Sequence, residues 1–343
     1  MEVLEDSENA KGMMRNYHVG TLSEEGRRAL RCAQDAEAAQ PSPDRPVFLD
    51  PARWTQAVLR NKTQVSPDTK LFTFELDHEG QEVGLPVGQH LMLRLRDPAK
   101  PDEAIVRAYT PVSDSTHKGT LDVLIKLYLP PPPAPGVAPG GGGGRMTTAL
   151  DQVPLGTRVD FKGPIGKFTY LGRGRVRLGD AAAAATPTRR VSSFVMICGG
   201  SGITPIFQVF RAIAQDAEDE TSCTVLYGNR GVQDILLREE LEGWARRKTT
   251  TTKSRIADQG VVAGGVVGGQ CRVLYTLTNP PATGWDGRTG RISEELLRQE
   301  AMPHEDGGGG GAMALVCGPP AMEQSVREIL LGLGWKRDDL VFF

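Results

Sequence analysis

Cysteines are few in this sequence and form no recognisable pattern. The 343 residues contain no CxxC pair and no histidine-rich companion motif, and the five cysteines are Cys32, Cys198, Cys223, Cys271 and Cys317. Zinc sites and disulfide frameworks both show characteristic cysteine spacings, which are missing here. We therefore expect no metal centre and a reducing, intracellular setting.

Long apolar runs are also missing. No segment approaches the roughly 20 apolar residues that span a bilayer. The acidic stretch from Met1 to Asn9 is unlike a signal peptide, which begins basic and then becomes apolar. The formal charge of −2 provides no broad basic field for nucleic acid. These absences predict a cytoplasmic protein that binds neither membrane nor nucleic acid, and they leave a small ligand, a protein partner or a homodimer open.

Three stretches of the chain differ in their pattern of apolar, proline and glycine residues. Residues 1–48 contain a short run of helix formers and then prolines that end it. Residues 49–178 contain short alternating apolar runs, such as 70–76 and 121–128, separated by Gly and Pro, which predicts an antiparallel β-barrel domain. Residues 190–343 alternate apolar strands with helical stretches, which predicts an α/β domain with a parallel sheet.

Four compositionally biased tracts interrupt these patterns. They are rich in Pro, Gly, Ala or Thr and cover residues 130–144, 181–185, 249–269 and 307–311. Because they lack the apolar content needed for packing, we predict that they are flexible loop insertions.

A glycine-rich turn follows the first apolar strand of the α/β half. The strand runs into Gly199-Gly200-Ser201-Gly202 and then into the helical stretch that begins Ile203-Thr204-Pro205. Backbone N–H groups in such a turn can approach a pyrophosphate, and the helix N-terminus adds favourable partial positive charge. A tight turn without a ligand is the alternative interpretation.

A second strand-turn-helix pattern lies near the end of the chain, at Cys317-Gly318-Pro319-Pro320. It places a thiol at the carboxyl edge of a predicted parallel strand, where open α/β sheets bind ligands. A buried core cysteine is an equally good interpretation of Cys317 from the pattern alone.

Arg107-Ala108-Tyr109-Thr110-Pro111-Val112-Ser113 is the corresponding motif of the barrel half. Strand alternation puts Arg107 and Tyr109 on one face, where an arginine can pair with a phosphate and the ring can pack on a flat heterocycle. A solvated strand face is the alternative. Downstream, Gly143-Gly144-Arg145-Met146-Thr147-Thr148 precedes a predicted helix and forms a candidate second phosphate-binding turn.

Taken together and in this order, RAYTPVS, GGSGITPI and CGPPAM resemble the ferredoxin-NADP reductase superfamily, and specifically its cytochrome b5 reductase branch. The similarity covers about residues 52–343 and includes the aromatic ending Leu340-Val341-Phe342-Phe343. Residues 162–174 and 228–241 resemble most closely the C-terminal flavin module of fungal nitrate reductases. The resemblance implies a β-barrel FAD-binding domain followed by an α/β NAD(P)-binding domain, a ferredoxin reductase-like fold.

The first residues sharpen this resemblance. Residues 9–22 look like the last helix and exit of a cytochrome b5 domain, although the haem-binding HPGG core of such a domain is absent. The resemblance therefore implies a b5-type haem domain as electron acceptor, with residues 1–48 as a helical remnant plus linker. An unrelated helical extension is the alternative for residues 1–22.

The resemblance also implies roles for individual residues. Thr110 and Cys317 are the candidate catalytic residues, next to the flavin and the nicotinamide respectively. The implied FAD contacts are Arg107 at the pyrophosphate, Tyr109 on the flavin, and Thr110, Ser113, Gly144, Met146 and Thr147. The implied nucleotide contacts are Lys126, Gly199, Gly200, Ser201, Gly202, Thr204, Cys317, Gly318 and Pro319, with Phe343 as the family's aromatic C-terminus. Lys126 on a barrel strand is equally well explained as a solvated cation.

Nucleotide choice depends on the group beside the adenosine ribose, because a carboxylate accepts from a free 2′-hydroxyl and repels a 2′-phosphate. NADH-using relatives tend to carry an acid at the position of Thr278, and Arg291 occupies the neighbouring adenine-side position. We therefore predict a preference for NADPH, with NADH as the alternative donor.

These observations predict an FAD-dependent oxidoreductase that moves a hydride from NADPH or NADH to FAD and then single electrons to a b-type haem, as in the reductase part of assimilatory nitrate reductase. A free-standing NADH-cytochrome b5 reductase is the nearest alternative. From another class, a non-catalytic scaffold or an inactive fragment would leave the three ordered motifs unexplained.

Overall fold

The computed structural model describes residues 47–97, 100–114, 116–130, 143–179, 187–251, 260–262, 265–268, 270–302 and 311–343. Val47–Phe343 form one compact unit. The predicted cytochrome b5-like segment and the tracts 131–142, 181–185 and 307–310 lie outside the described residues.

The N-terminal part of this unit is a six-stranded antiparallel sheet. Its strands occur in the order β4-β3-β6-β1-β2-β5, and a short helix, α1, precedes β6. The bounds are β1 Thr55–Ser66, β2 Thr69–Glu75, β3 His90–Asp97, β4 Lys100–Tyr109, β5 Thr120–Lys126, α1 Arg145–Gln152 and β6 Arg158–Ile165.

Sequence alternation decides which face of this sheet is buried. In β3, Leu91, Leu93 and Leu95 are buried and alternate with half-buried residues, as expected when successive side chains point to opposite faces. Beyond the end of β4, the Val112 N–H donates to the Asp122 carbonyl at 2.9 Å. This bond brings the chain after β4 back against β5, the opposite end of the sheet order, and the antiparallel half of the prediction is confirmed.

A second sheet of ten strands forms the C-terminal part. Five neighbouring strands, β13-β10-β9-β15-β16, are parallel, and helices connect them, which confirms the predicted α/β half. The bounds are β7 Phe168–Tyr170, β8 Arg175–Leu178, β9 Thr188–Gly199, α2 Ile203–Gln215, β10 Ser222–Asn229, α3 Arg238–Thr251, β11 Gly260–Val262, β12 Gly265–Gly268, β13 Cys271–Leu277, β14 Arg288–Thr289, α4 Glu294–Glu300, β15 Gly311–Cys317, α5 Pro320–Gly332 and β16 Leu340–Phe342.

One loop prediction is wrong in part. Within the tract 249–269, predicted to be a flexible insertion, α3 continues to Thr251 and the strands β11 and β12 add an antiparallel ribbon to β13. The valines of this tract explain the difference, because β-branched residues favour strands and the edge of β13 offers unpaired backbone groups. Val266 in β12 is buried.

The strand β9 takes part in two kinds of pairing. Its residues 188–190 pair antiparallel with β8, whereas the rest of the strand pairs parallel with β15 and β10. From Phe194 to Gly199 every residue is buried, as is typical of a central parallel strand covered on both faces.

The largest hydrophobic cluster joins the two parts of the unit. Leu124 of β5, in the antiparallel sheet, belongs to the same buried cluster as Phe168 and Tyr170 of β7 and Phe194 and Phe210 of the α/β part. A separate cluster lies inside the antiparallel sheet and includes Phe72, Phe74 and Phe161.

Candidate active site

The glycine-rich turn packs directly against the turn that contains Cys317. A Cβ at Gly202 would lie 2.3 Å from the Cys317 carbonyl oxygen, and one at Gly199 would lie 2.8 Å from the Met322 sulfur. Gly200 has a positive φ of 55°, and a Cβ at this position would meet no heavy atom within 4 Å. Two glycines thus allow the two turns to touch, and the third leaves an open position on the turn. The structure brings these two predicted motifs together.

Cys317 lies half-buried at the carboxyl end of β15, directly beside Cys198 of β9. Burial, and next the nearby Glu323 carboxylate, raise the pKa of the Cys317 thiol to about 12. The Gly318 N–H donates to Glu323 Oε1 at 3.0 Å, which holds the turn in front of α5. The Cys317 thiol is therefore protonated at neutral pH, and it can serve as a small, polarizable packing group but not as a nucleophile.

The strand β4 carries the predicted flavin residues to an open part of the sheet. Arg107 lies opposite Leu93 in the β3–β4 ladder, and opposite residues share a face. Leu93 is fully buried, whereas Arg107 is exposed. The core face of the sheet is therefore uncovered beside the Arg107 guanidinium, which leaves room for a ligand there.

Tyr109 and Thr110 continue this strand towards the interior. Burial raises the pKa of Tyr109 to about 12, so its ring is held with a protonated phenol. Thr110 is buried. The hydroxyl of Ser113 accepts the Asp122 N–H at 3.2 Å and thereby fixes the chain after β4. The roles predicted for these residues towards FAD stay predictions.

The predicted second phosphate turn begins α1. Gly144 is the N-cap residue, and its N–H donates to the Tyr128 carbonyl at 2.6 Å. Met146 is buried, and the Thr147 hydroxyl donates to the Gly144 carbonyl at 3.0 Å. The side chains of Met146 and Thr147 therefore build the turn, and contact with a phosphate would come from the backbone N–H groups at the start of α1.

Lys126 is ion-paired within the fold. Its ammonium group lies 2.8 Å from Asp68 Oδ2, and the same carboxylate oxygen lies 2.9 Å from Arg230. Arg230 also contacts Asp234 at 3.1 Å. Partial burial acts to raise the pKa of Asp68, but Lys126 and Arg230 outweigh it and the pKa is lowered. The solvated interpretation of Lys126 does not hold, and sequence reasoning missed both Asp68 and Arg230.

Thr278 and Arg291 lie exposed on two neighbouring segments beyond β13. The Thr278 N–H donates to the Asn229 carbonyl at 3.0 Å, and the Gly290 N–H donates to the Leu277 carbonyl at 2.8 Å. Both predicted specificity residues therefore lie next to ladder-like hydrogen bonds that extend the carboxyl edge of the sheet.

Asn229 is a third residue that sequence reasoning missed. It ends β10, one position after Gly228, which pairs with Gly199. Its side chain is buried, and neither its amide nitrogen nor its amide oxygen has a hydrogen-bond partner of ordinary geometry among the described residues. The signal in the sequence is its place at the end of a parallel strand, where ligands bind.

The C-terminal Phe343 lies next to the turn that contains Cys317. Its N–H donates to the Val316 carbonyl at 3.1 Å, and its ring meets Phe168 edge to face at 5.8 Å between centroids. The aromatic ending therefore bridges the hairpin β7–β8 and the end of β15.

The residues present suit FAD and a nicotinamide nucleotide. The exposed guanidinium of Arg107 on an uncovered core face suits a pyrophosphate. The open position at Gly200 and the buried amide of Asn229 lie at the sheet edge where a nucleotide would be expected. In the part of the chain that the structure describes, no three His, Cys, Asp or Glu side chains are arranged to hold a metal ion, and no helix there is long and apolar enough to span a membrane.

Two family models match the chain. The oxidoreductase FAD-binding domain matches residues 56–170, and the oxidoreductase NAD-binding domain matches residues 196–328.

Curated relatives include fungal proteins named nitrate reductase [NADPH]. The protein from Neurospora crassa is 46% identical over 98% of this chain and 31% of its own length. The protein from Leptosphaeria maculans is 48% identical over 98% of this chain and 34% of its own length. The chain thus spans about a third of the length of the curated relatives that it matches.

Solved structures of related reductases are also similar to this chain. The cytochrome b5 reductase domain of Ulva prolifera nitrate reductase has a TM-score of 0.70 and 29% identity, and the match covers 87% of this chain and 100% of that domain. A ferredoxin NADP⁺ reductase from Neisseria gonorrhoeae has a TM-score of 0.56 and 15% identity, with 84% of this chain and 98% of that chain covered. The latter likeness shows the fold alone.

Proposed function

Because the chain belongs to the cytochrome b5 reductase branch of the ferredoxin-NADP reductase superfamily and is an NAD(P)H-dependent flavin oxidoreductase, we propose that it is the reductase part of a nitrate reductase. In this role it takes a hydride from NADPH onto FAD and passes single electrons to a b-type haem. The contact between the turns at Gly202 and Cys317 is the observation that carries the proposal, since it brings two turns together at the end of the sheet where a nucleotide would be expected.

The chain's own contribution is to position the two cofactors. FAD, when bound, supplies the hydride acceptor and the link between two-electron and one-electron chemistry. Arg107 would pair with its pyrophosphate, while Tyr109 and Thr110 would hold the flavin ring. The turns at Gly200 and Cys317 would present the nicotinamide, with Lys126 and Asn229 near its path. No residue needs to exchange a proton with solvent for the transfer itself.

We assign FAD binding to residues 49–178 and nucleotide binding to residues 190–343. The electron acceptor is a cytochrome b5-type haem domain, as expected from the b5-like residues 9–22. No disulfide joins the cysteines that the structure describes, and a reducing cytoplasm is the location that we propose. The proposal involves no nucleic acid and no membrane, and it leaves the choice between monomer and homodimer to a sedimentation measurement.

We further propose that NADPH is the physiological donor, through Thr278 and Arg291. Thr278→Asp would place a carboxylate beside the adenosine ribose, which would repel a 2′-phosphate and accept a free 2′-hydroxyl. We expect the ratio of kcat/KM for NADPH to that for NADH to fall by about tenfold or more, which corresponds to roughly 1.4 kcal/mol.

The test is an anaerobic titration of the FAD-loaded protein with NADPH and, on a fresh sample, with NADH. Asn61→Asp is the matched control, because it adds the same charge to an exposed position of β1. Unequal bleaching of the flavin band in favour of NADPH, lost only in Thr278→Asp, supports the assignment. Equal use of both nucleotides by the parent protein contradicts it, and protein that purifies without flavin contradicts the proposed function.

A further inference from the structure

A polar stripe runs along the otherwise apolar helix α2. Thr204, Gln208, Arg211 and Gln215 follow one another at intervals of four, three and four residues, so they lie on one side of the helix. Gln208 is only 7% exposed and Arg211 only 9%. From Thr204 to Arg211 this polar side therefore does not face water, which is the usual place for such a stripe on a helix, whereas Gln215 at the end of the stripe is exposed.

The stripe contacts the antiparallel part of the molecule. The Gly88 N–H donates to Gln208 Oε1 at 2.6 Å. Arg211 donates from Nη1 to the Val112 carbonyl and from Nη2 to the Ser113 carbonyl, both at 2.7 Å.

The last residue of the stripe extends the same contact. Gln215 donates to Asp114 Oδ2 at 2.6 Å, and the same carboxylate oxygen lies 3.9 Å from Arg211 Nε. Three successive residues, Val112 and Ser113 at the end of the flavin motif and Asp114 directly after it, are thus held by one face of α2.

A buried guanidinium directed at two carbonyl oxygens is a costly way to join two parts of a protein. Its desolvation is only partly offset when the nearest carboxylate is at 3.9 Å. What the fork geometry provides is direction, because two parallel N–H donors fix both the distance and the angle of the segment that they hold.

We propose that Arg211, supported by Gln208 and Gln215, is a positioning residue. It sets the distance between the end of β4, which carries the predicted flavin residues, and the glycine-rich turn Gly199–Gly202. The helix that begins at the Gly199–Gly202 turn holds residues 112–114, which are separated from Thr110 only by Pro111. Thr204 and Arg211 are seven residues apart, about 10 Å along a rigid helix. Hydride transfer depends steeply on the distance between donor and acceptor, so this clamp bears on the rate of transfer. The inference deepens the proposed function and rests on it.

The first arm of the test needs no cofactor. Arg211→Met keeps much of the side-chain volume and removes the fork, and Arg211→Lys keeps the charge without the fork. In the apoprotein, hydrogen exchange of the Val112 and Asp122 amides is expected to be at least about tenfold faster in both variants, because the segment loses its clamp. Amides in the centre of β10 should keep their parent rates.

The control is Arg94→Met. This arginine is part of the antiparallel sheet, where it pairs with Asp160 at 2.9 Å and stacks over Trp54 at 4.2 Å. It also loses a structural ion pair, yet exchange at Val112 and Asp122 is expected to stay at the parent rate. If Arg211→Met does not fold, Gln208→Leu, which removes the acceptor for the Gly88 N–H, takes its place.

The second arm measures flavin reduction by NADPH in a stopped-flow instrument. In Arg211→Met the limiting rate is expected to fall about tenfold while the apparent Kd for NADPH changes less than about twofold, since the nucleotide turn itself is intact. The long-wavelength charge-transfer absorbance between flavin and nicotinamide should weaken in parallel. A purely structural arginine would not produce this split.

Two outcomes would overturn the clamp: parent-like exchange at Val112 and Asp122 in both Arg211 variants, or faster exchange with an unchanged limiting rate. A parent protein that NADPH does not reduce would instead refute the proposed function. The exchange arm would then still report on whether α2 holds residues 112–114, so the two failures remain distinguishable.

Discussion

At the scale of single residues, the protonation of Cys317 and Tyr109 governs how the site responds to pH. Both side chains have a pKa raised to about 12, in each case chiefly by burial. Neither group loses its proton near neutral pH. The folded protein keeps these protons where the unfolded chain begins to release them, so the free energy of unfolding is expected to fall as the pH rises from about 9 towards 12.

For the same reason, the limiting rate of flavin reduction is expected to be independent of pH between 7 and 9, because no group at the turn changes charge. Cys317→Ser should lower this rate by about tenfold through lost packing against the nicotinamide and keep the flat profile. Rapid-mixing measurements across this range check both statements. If the limiting rate of the parent protein rises towards pH 9 and that of Cys317→Ser does not, the thiolate takes part in the reaction.

Residues of the motifs could be recognised from the sequence because their function is local. Glycines at Gly200 and Gly202 mark a turn whatever surrounds it. The partners of Arg211 and Asp68 could not be recognised from the sequence, because they lie far away along the chain. Arg211 contacts Val112, which is 99 positions away, and Asp68 contacts Arg230, which is 162 positions away. From sequence alone, a polar residue on a helix looks solvated.

At the scale of the elements, the glycine-rich turn depends on close approach at one position and on backbone conformation at another. Gly202 has no space for a methyl group beside the Cys317 carbonyl, whereas Gly200 has space but a positive φ. The two positions therefore form a matched pair, in which the same substitution tests two different causes.

Gly202→Ala is expected to lower the free energy of unfolding by roughly 1–3 kcal/mol through overpacking and to weaken NADPH binding, because the two turns must separate. Gly200→Ala should cost about 1 kcal/mol of backbone strain and leave the turns in contact. Thermal unfolding and nucleotide titration of both variants provide the comparison. Equal loss of NADPH affinity in the two would contradict the importance of turn-to-turn contact.

Sequence periodicity locates most elements. The strand predicted before the glycine-rich turn and the helix predicted after Cys317-Gly318-Pro319-Pro320 are observed as β9 and α5, because central strands and amphipathic helices carry strong patterns. The ribbon β11–β12 escapes prediction since its residues are mostly Gly and Val, and its stability depends on the edge of β13, which lies later in the chain.

At the scale of the whole molecule, a single buried cluster unites the hairpin β7–β8 with the parallel sheet. Phe168 meets Phe194 at 6.4 Å and Phe343 at 5.8 Å between ring centroids, both edge to face. Tyr170 donates a short hydrogen bond to Asp219, which is also buried. The antiparallel sheet has a cluster of its own around Phe72, Phe74 and Phe161, and the shared cluster ties it to the α/β part.

We therefore expect residues 47–343 to unfold in one cooperative transition, with equal calorimetric and van't Hoff enthalpies. Phe168→Ala should lower the free energy of unfolding by about 3–5 kcal/mol and shift the whole transition. Differential scanning calorimetry of the parent and this variant makes the measurement. Two separate peaks in the parent protein would mean that the halves are stable independently.

The double pairing of β9 also bears on how this architecture can be exchanged between relatives. Residues 188–190 complete the hairpin ribbon of one half, and the following residues form the centre of the other. A recombination point inside β9 would separate part of the strand from the neighbouring strands with which it forms hydrogen bonds. Chimaeras that trade nucleotide specificity while keeping their flavin half should therefore carry β9 over intact together with the hairpin β7–β8, so that the joint falls before Phe168 and the inherited module is larger than the nucleotide-binding residues alone.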